Sequence, residues 1–144
     1  PEEVRRYLAR ISGPMLDRID IIMEVPAVHF EDLRNRQEAE PSKAIKARVD
    51  AARSRQHQRF GTDSGMCNAR MGPSELRHYC KLDNESVLLM KDAFESLGLT
   101  ARSYDRVLRV ARSIADLAGS EIIEKEHIFT AISFRSLDRK YWGS

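Results

Sequence analysis

In ISGPMLDRIDIIMEVP, residues Ile11–Pro26, a single arginine stands between two aspartates just ahead of an alternating apolar run. Pro14 opens a turn and Arg18 closes it. Ile19, Ile21, Met23 and Val25 then alternate with Asp20, Ile22 and Glu24. Period two, β-branched residues and the terminal Pro26 predict a strand. A guanidinium held at such a turn is aimed outward, and it suits the negative charge that spreads over a transferred phosphoryl group. The competing reading is a surface pair of Arg18 with Asp17 or Asp20. No GxxxxGK[ST] pattern occurs, the glycine-rich Gly61–Gly72 segment included, so the anion that Arg18 would meet is expected to be cradled elsewhere.

Two further arginine groups could act on anions. Arg102, Arg106 and Arg109 recur at three- and four-residue spacing opposite an apolar stripe, which is also what a solvated helix face looks like. Lys43, Lys46, Arg48, Arg53, Arg55 and Arg59 crowd the segment Ser42–Phe60 against one acid, Asp50. Such a stripe could follow a phosphate backbone. Its charges flank the apolar positions on both sides, however, and no aromatic residues are interleaved to stack bases, which favours a solvated connecting helix. Cys67, His78 and Cys80 lack the close cysteine pair and fourth ligand of a zinc site. His29, His57 and His127 sit among charged residues and read as surface. No spacing suggests a serine triad.

The elements that must position these residues are mostly helices. A chain of 144 residues holds one ordinary domain or a small domain with an arm. It is 42% hydrophobic and 32% charged, with only 5 Pro and 7 Gly, which points to a helical protein. The net charge of +2 gives no global pull toward nucleic acid. No run is long enough to cross a bilayer, and two cysteines read as reduced thiols in the cytoplasm. Periodicity predicts helices over Glu2–Ile11, Phe30–Arg36, Ser42–Phe60, Ser74–Cys80, Asn84–Leu97, Thr100–Ala118 and Glu124–Phe134. Ser42, Asp83 or Asn84, and Thr100 serve as N-caps, while Gly98 and Gly119 act as stops. Expected inward faces are Ile45, Val49 and Ala52; Val87, Met90, Phe94 and Leu97; Tyr104, Val107, Leu108, Ala111, Ile114, Ala115 and Ala118; and Ile128, Ala131 and Ile132. Short connections then make Pro73–Phe134 a compact bundle of antiparallel neighbours, with Gly61–Gly72 a loop or hinge. The lone strand has no partner in this sequence, so Pro1–Pro26 is expected to be mobile or paired with another molecule.

SGPMLDRID before the strand, TARSYDRVLRVARSIADLAGS at the long helix, NARM in the loop and SLDRKYW near the end together resemble the magnesium-chelatase-like AAA+ ATPases of the ComM/YifB type. The likeness runs over nearly the whole chain, and YWGS reads as a natural C-terminus. True magnesium-chelatase subunits typically carry RPQLLDRF where this sequence has SGPMLDRI. The resemblance implies a division into 1–26, the tail of a AAA+ core with its arginine-finger turn and last strand; 27–72, a connecting segment; and 73–144, a helical lid. It implies a mainly α fold: a lid of about four helices preceded by a long helix and one leftover strand. It further implies that Arg18 is a finger reaching the nucleotide of the adjacent subunit and that Arg102 is a second sensor contacting the nucleotide of its own.

By the same resemblance the whole protein uses ATP and Mg2+, assembles its own subunits into a ring such as a hexamer, and remodels DNA in the cytoplasm, as in branch migration, recombination or transformation. Its nucleotide-binding motifs are expected upstream. The rivals are a chelatase-type assembly factor acting on a metal-insertion partner and a helical interaction module without nucleotide chemistry. Residues 1–144 alone are expected neither to hydrolyse ATP nor to bind it tightly; steady turnover by the pure chain is the measurement that contradicts this.

Overall fold

The computed structural model describes residues 6, 10–16, 18–28, 30, 34 and 39–135. It is mainly helical. A single turn, α1 (Gly13–Leu16), precedes α2 (Ser42–Phe60), α3 (Pro73–Tyr79), α4 (Asn84–Leu97), α5 (Ala101–Ala118) and α6 (Lys125–Ser133). Two 3-10 turns, Thr62–Ser64 and Asn68–Arg70, fill the connection between α2 and α3. The expected helix over Glu2–Ile11 and the SLDRKYW and YWGS strings lie almost wholly outside the described residues. Of Phe30–Arg36 only Phe30 and Arg34 are described, both helical.

The helix ends follow their capping chemistry. Asp83 accepts from the Ser86 amide at 2.7 Å and Thr100 from the Ser103 amide at 3.1 Å, each satisfying an amide that the first turn leaves free. Gly119 ends α5 at φ 79°, a left-handed conformation in which a Cβ is strained, and the Ser120 amide returns to the Ala115 carbonyl at 2.9 Å. Pro73 occupies the first position of α3, where its missing N–H costs nothing. At α2 the cap is Pro41 without a side-chain bond, and Ser42 is already helical.

Helix α5 is the centre of the bundle and packs on α2, α3, α6 and the Asn68–Arg70 turn. Val107, Leu108, Ala111 and Ala115 are buried as their spacing requires, with Met71, Leu76, Met90, Ile123 and Ile128 closing the core around them. Ala118, expected on the inward face of α5, is exposed at the helix end, and two further faces differ from expectation. On α4 the buried positions are Ser86, Met90 and Ala93, while Val87 and Phe94 remain half exposed. On α2 only Ala52 and Gln56 are buried, and Ile45 and Val49 face solvent, because the second half of the helix alone meets α5.

The strand expected over Ile19–Val25 is not formed: no ladder exists among the described residues, and residues 21–28 carry no regular secondary structure. A strand needs a neighbour for its backbone groups, and none of the described residues offers it. The segment is nonetheless attached. The Ile22 amide donates to the Phe134 carbonyl at 3.2 Å, the Arg135 guanidinium donates to the Ile19 carbonyl, and Arg106 pairs with Asp20.

The loop between α2 and α3 is pinned rather than hinge-like. Asn68 is 1% exposed and Met71 equally buried. Arg109 grips the Met71 carbonyl through Nε at 3.0 Å and Nη2 at 2.8 Å. Asn68 is held on three sides. Its amide donates to Gln56 Oε1 at 3.0 Å, its side chain donates to Asp116 Oδ2 at 2.8 Å, and its Oδ1 accepts from Arg59 at 2.8 Å. Asp116, itself 1% exposed, also takes a bidentate pair from Arg59 at 2.5 and 2.8 Å and a contact from Arg112 at 3.1 Å. Removing this carboxylate strands the cations of Arg59 and Arg112. Asp116→Ala is therefore expected to cost about 3–5 kcal/mol of stability, read as a lowered denaturation midpoint with unchanged secondary structure before the transition.

Candidate functional site

Arg18 sits in the turn that closes α1, its amide bonded to the Met15 carbonyl at 3.0 Å. Its side chain is exposed and makes no bond to a described residue. Asp20, one of the two aspartates that could have neutralised it, is instead bound to Arg106, 86 residues away. Asp17 lies outside the described residues. The turn thus leaves the Arg18 guanidinium exposed.

Of the four arginines of α5, Arg112 belongs to the buried Asp116 group, and the other three part company. Arg106 is committed to Asp20 and Arg109 to the Met71 carbonyl. Arg102, in the first turn, is exposed and without a partner among the described residues. A cation there is mildly disfavoured by the helix dipole, so an anion nearby offsets that cost. The structure does not bring Arg18 and Arg102 into contact with each other.

The basic helix α2 is largely neutralised. Lys46 pairs with Asp50 at 2.5 Å and Arg48 with Glu40 at 2.9 Å. Arg59 is spent on Asp116, and Arg55 points to the Gly119 carbonyl at 3.4 Å. Only Lys43 and Arg53 of the six cations lack a partner among the described residues. Between α2 and the α5–α6 connection lies a polar cleft of about 510 Å³ lined by Ser54, Arg55, Arg59, Gly119, Ser120 and Glu121, but its two guanidiniums are already engaged.

The Asp116 carboxyl experiences opposing influences. Burial pushes it up, while hydrogen bonds from Arg59 and Asn68 and the charge of Arg112 overcome that and hold it below the usual carboxylate range. Since its folded value is depressed, its contribution to stability is present at neutral pH and is lost as pH falls through that lowered value. Arg59 is raised, chiefly by its bond to Asp116. His127, read as surface, is buried: its Nδ1 accepts from the Glu124 amide at 3.0 Å and starts α6. His57 and His78 are exposed, His78 edge-on to Tyr79 with ring centroids 4.6 Å apart. Among the described residues no three His, Cys, Asp or Glu side chains converge to hold a metal ion, and no helix is long and apolar enough to cross a membrane.

The signature described as "Magnesium chelatase, subunit ChlI C-terminal" matches residues 39–135. The chain belongs to that family. The companion signature, "Magnesium chelatase, subunit ChlI", matches residues 1–33, so the Arg18 turn falls in one unit and Arg102 in the other. The chain is 40% identical over 140 residues to the protein YifB of Escherichia coli K12, covering 96% of this chain and 27% of that protein. It is 36% identical over 140 residues to "Competence protein ComM" of Haemophilus influenzae Rd, with the same 96% and 27% coverage. A Mycobacterium tuberculosis H37Rv protein is 32% identical over 131 residues, covering 91% and 26%. The chain thus spans about a quarter of the length of the relatives it matches.

For this ChlI-type chain the sequence singled out Arg18 and Arg102 and overlooked the buried group of Gln56, Asn68, Arg112 and Asp116. A signal existed in the four-residue spacing of Arg112 and Asp116 beside Ala111 and Ala115, where small residues leave room for burial. Both thiols also acquire definite characters. Burial raises Cys80 to about 11, with Arg112 and Arg59 pulling weakly the other way, whereas Cys67 is half exposed. At pH 8 a thiol reagent should therefore label Cys67 alone in the native chain. Cys80 should react only after denaturant is added, and mass spectrometry distinguishes the two.

Proposed function

We propose that this chain supplies two arginines to an ATP-hydrolysing ring: Arg18 to the nucleotide of the neighbouring subunit and Arg102 to the nucleotide of its own. The observation that carries the reading is the engagement of Asp20 by Arg106. It removes one local partner from Arg18 and leaves that guanidinium exposed on a turn. The isolation of Arg102 among its helix's arginines supports the second role.

A guanidinium brought to the transferred phosphoryl group stabilises its spreading negative charge, an effect worth about a thousandfold or more in rate when supplied across a subunit boundary. Hydrolysis then depends on assembly, because no single subunit completes its own site. These cations suit a phosphate, and since no three His, Cys, Asp or Glu side chains converge among the described residues, the proposal assigns the Mg2+ of the reaction to residues outside them. When bound, it neutralises phosphate charge. The chain's own contribution is to present Arg18 and to seat Arg102 at the start of a helix fixed in the lid.

DNA is the proposed substrate of the whole protein, supported by a relative named a competence protein. Helix α2 is a poor candidate for the DNA contact, since four of its six cations are internally engaged. The family description favours a second reading, an assembly factor for metal insertion. ATP-dependent, salt-sensitive binding of branched DNA by the full-length protein separates the two. In that protein, Arg18→Ala should lower kcat for ATP about a thousandfold with ATP binding retained, and Arg102→Ala should weaken ATP binding. Wild-type turnover in both variants would favour a module without nucleotide chemistry.

A further inference from the structure

Arg106 follows Arg102 by one turn of α5, and Asp20 follows Arg18 by two residues. One ion pair therefore joins the helix that carries the first arginine to the turn that carries the second. We infer that Asp20 and Arg106 form a positioning pair that fixes the direction of Arg18 according to the placement of α5, linking the nucleotide of one subunit to catalysis in the next. This rests on the roles given to Arg18 and Arg102 under Proposed function.

The geometry around the pair favours transmission over mere surface attraction. Arg106 is largely covered, its side chain 24% exposed, and Asp20 is 47% exposed. The residues beside Asp20 are held as well, by the Ile22 amide on the Phe134 carbonyl and by Arg135 on the Ile19 carbonyl. Asp20 and Ile21 face a groove of about 370 Å³ walled by Val110, Ile114, Leu117 and Phe134 of the bundle. Below the pair α5 is fixed, through Arg109 on Met71 and through Asp116. A shift of the first turn of α5 is thus carried by Arg106 to Asp20, and from Asp20 to a guanidinium two residues away. A partly exposed pair adds little to stability, so its loss leaves the fold standing. A misplacement of about 1 Å in a reacting group, by contrast, can cost about a hundredfold in rate.

The test measures ATP turnover by the full-length protein carrying Asp20→Asn, Arg106→Gln, or the exchange of Asp20→Arg with Arg106→Asp, with Arg18→Ala alongside. Each single variant is expected to lower kcat about ten- to a hundredfold with KM for ATP and melting temperature little changed, and the exchange to recover most of the loss. Wild-type kcat in both single variants, while Arg18→Ala abolishes turnover, overturns the positioning role and leaves the finger role standing. Wild-type turnover in Arg18→Ala overturns both. Where a single variant melts early, the exchange decides: a melting temperature that recovers without kcat also overturns the positioning role.

Discussion

A buried carboxylate holds this bundle together. Asp116 lies near the end of the central helix, shut off from water, and takes donors from Arg59 on α2, Asn68 in the loop and Arg112 on its own helix. Burying a charge is costly unless it is paired and fully bonded, and here each bond comes from a different part of the chain. Arg112, 2% exposed, also donates through Nη2 to the Ser120 carbonyl and through Nη1 to the Glu121 carbonyl, extending the same network to the α5–α6 connection. The long helix, the loop and the bundle are consequently one body from Ser42 onward, with their register set by directional bonds rather than by apolar contact alone.

That body explains which arginines are available. The chain is rich in guanidiniums, and several of those described are occupied. Arg59 and Arg112 serve the buried carboxylate, Arg109 holds the loop, Arg106 holds the segment at Asp20 and Arg55 leans on the α5–α6 connection. Arg18 and Arg102 remain exposed and unpaired among the described residues, as Arg53 and Arg77 also do, so what sets the first two apart is their place on the turn and at the helix start rather than exposure alone.

Much of the architecture was legible because it is written in local chemistry. The Thr100 and Asp83 caps, the Gly98 and Gly119 stops and the Val107, Leu108, Ala111 and Ala115 face each depend on residues within a few positions of one another. What could not be read depends on distant partners. Asn68 looks like any loop asparagine until Asp116, 48 residues on, is folded against it. Arg59 looks like one more basic residue on a solvated helix until it meets the same carboxylate 57 residues away. His127 was hidden by the charges around it in sequence, which point away while its ring turns back to cap its own helix. The Ile19–Val25 segment has the right alternation for a strand, but alternation specifies a face and cannot supply a neighbour. The pairing of Asp20 with Arg106 rather than Arg18 was equally invisible, and the role proposed for Arg18 rests on it.

Helix α5 runs 18 residues, roughly 27 Å at about 1.5 Å per residue, with its far end bolted down by Asp116 and its near end carrying Arg102. The near end is seated too, with Leu99, Ser103 and Val107 buried, so the helix acts as one strut of the bundle. Arg106 and Arg109 hang from that strut, and the segment around Asp20 and the loop at Met71 are thereby kept at a fixed spacing along it.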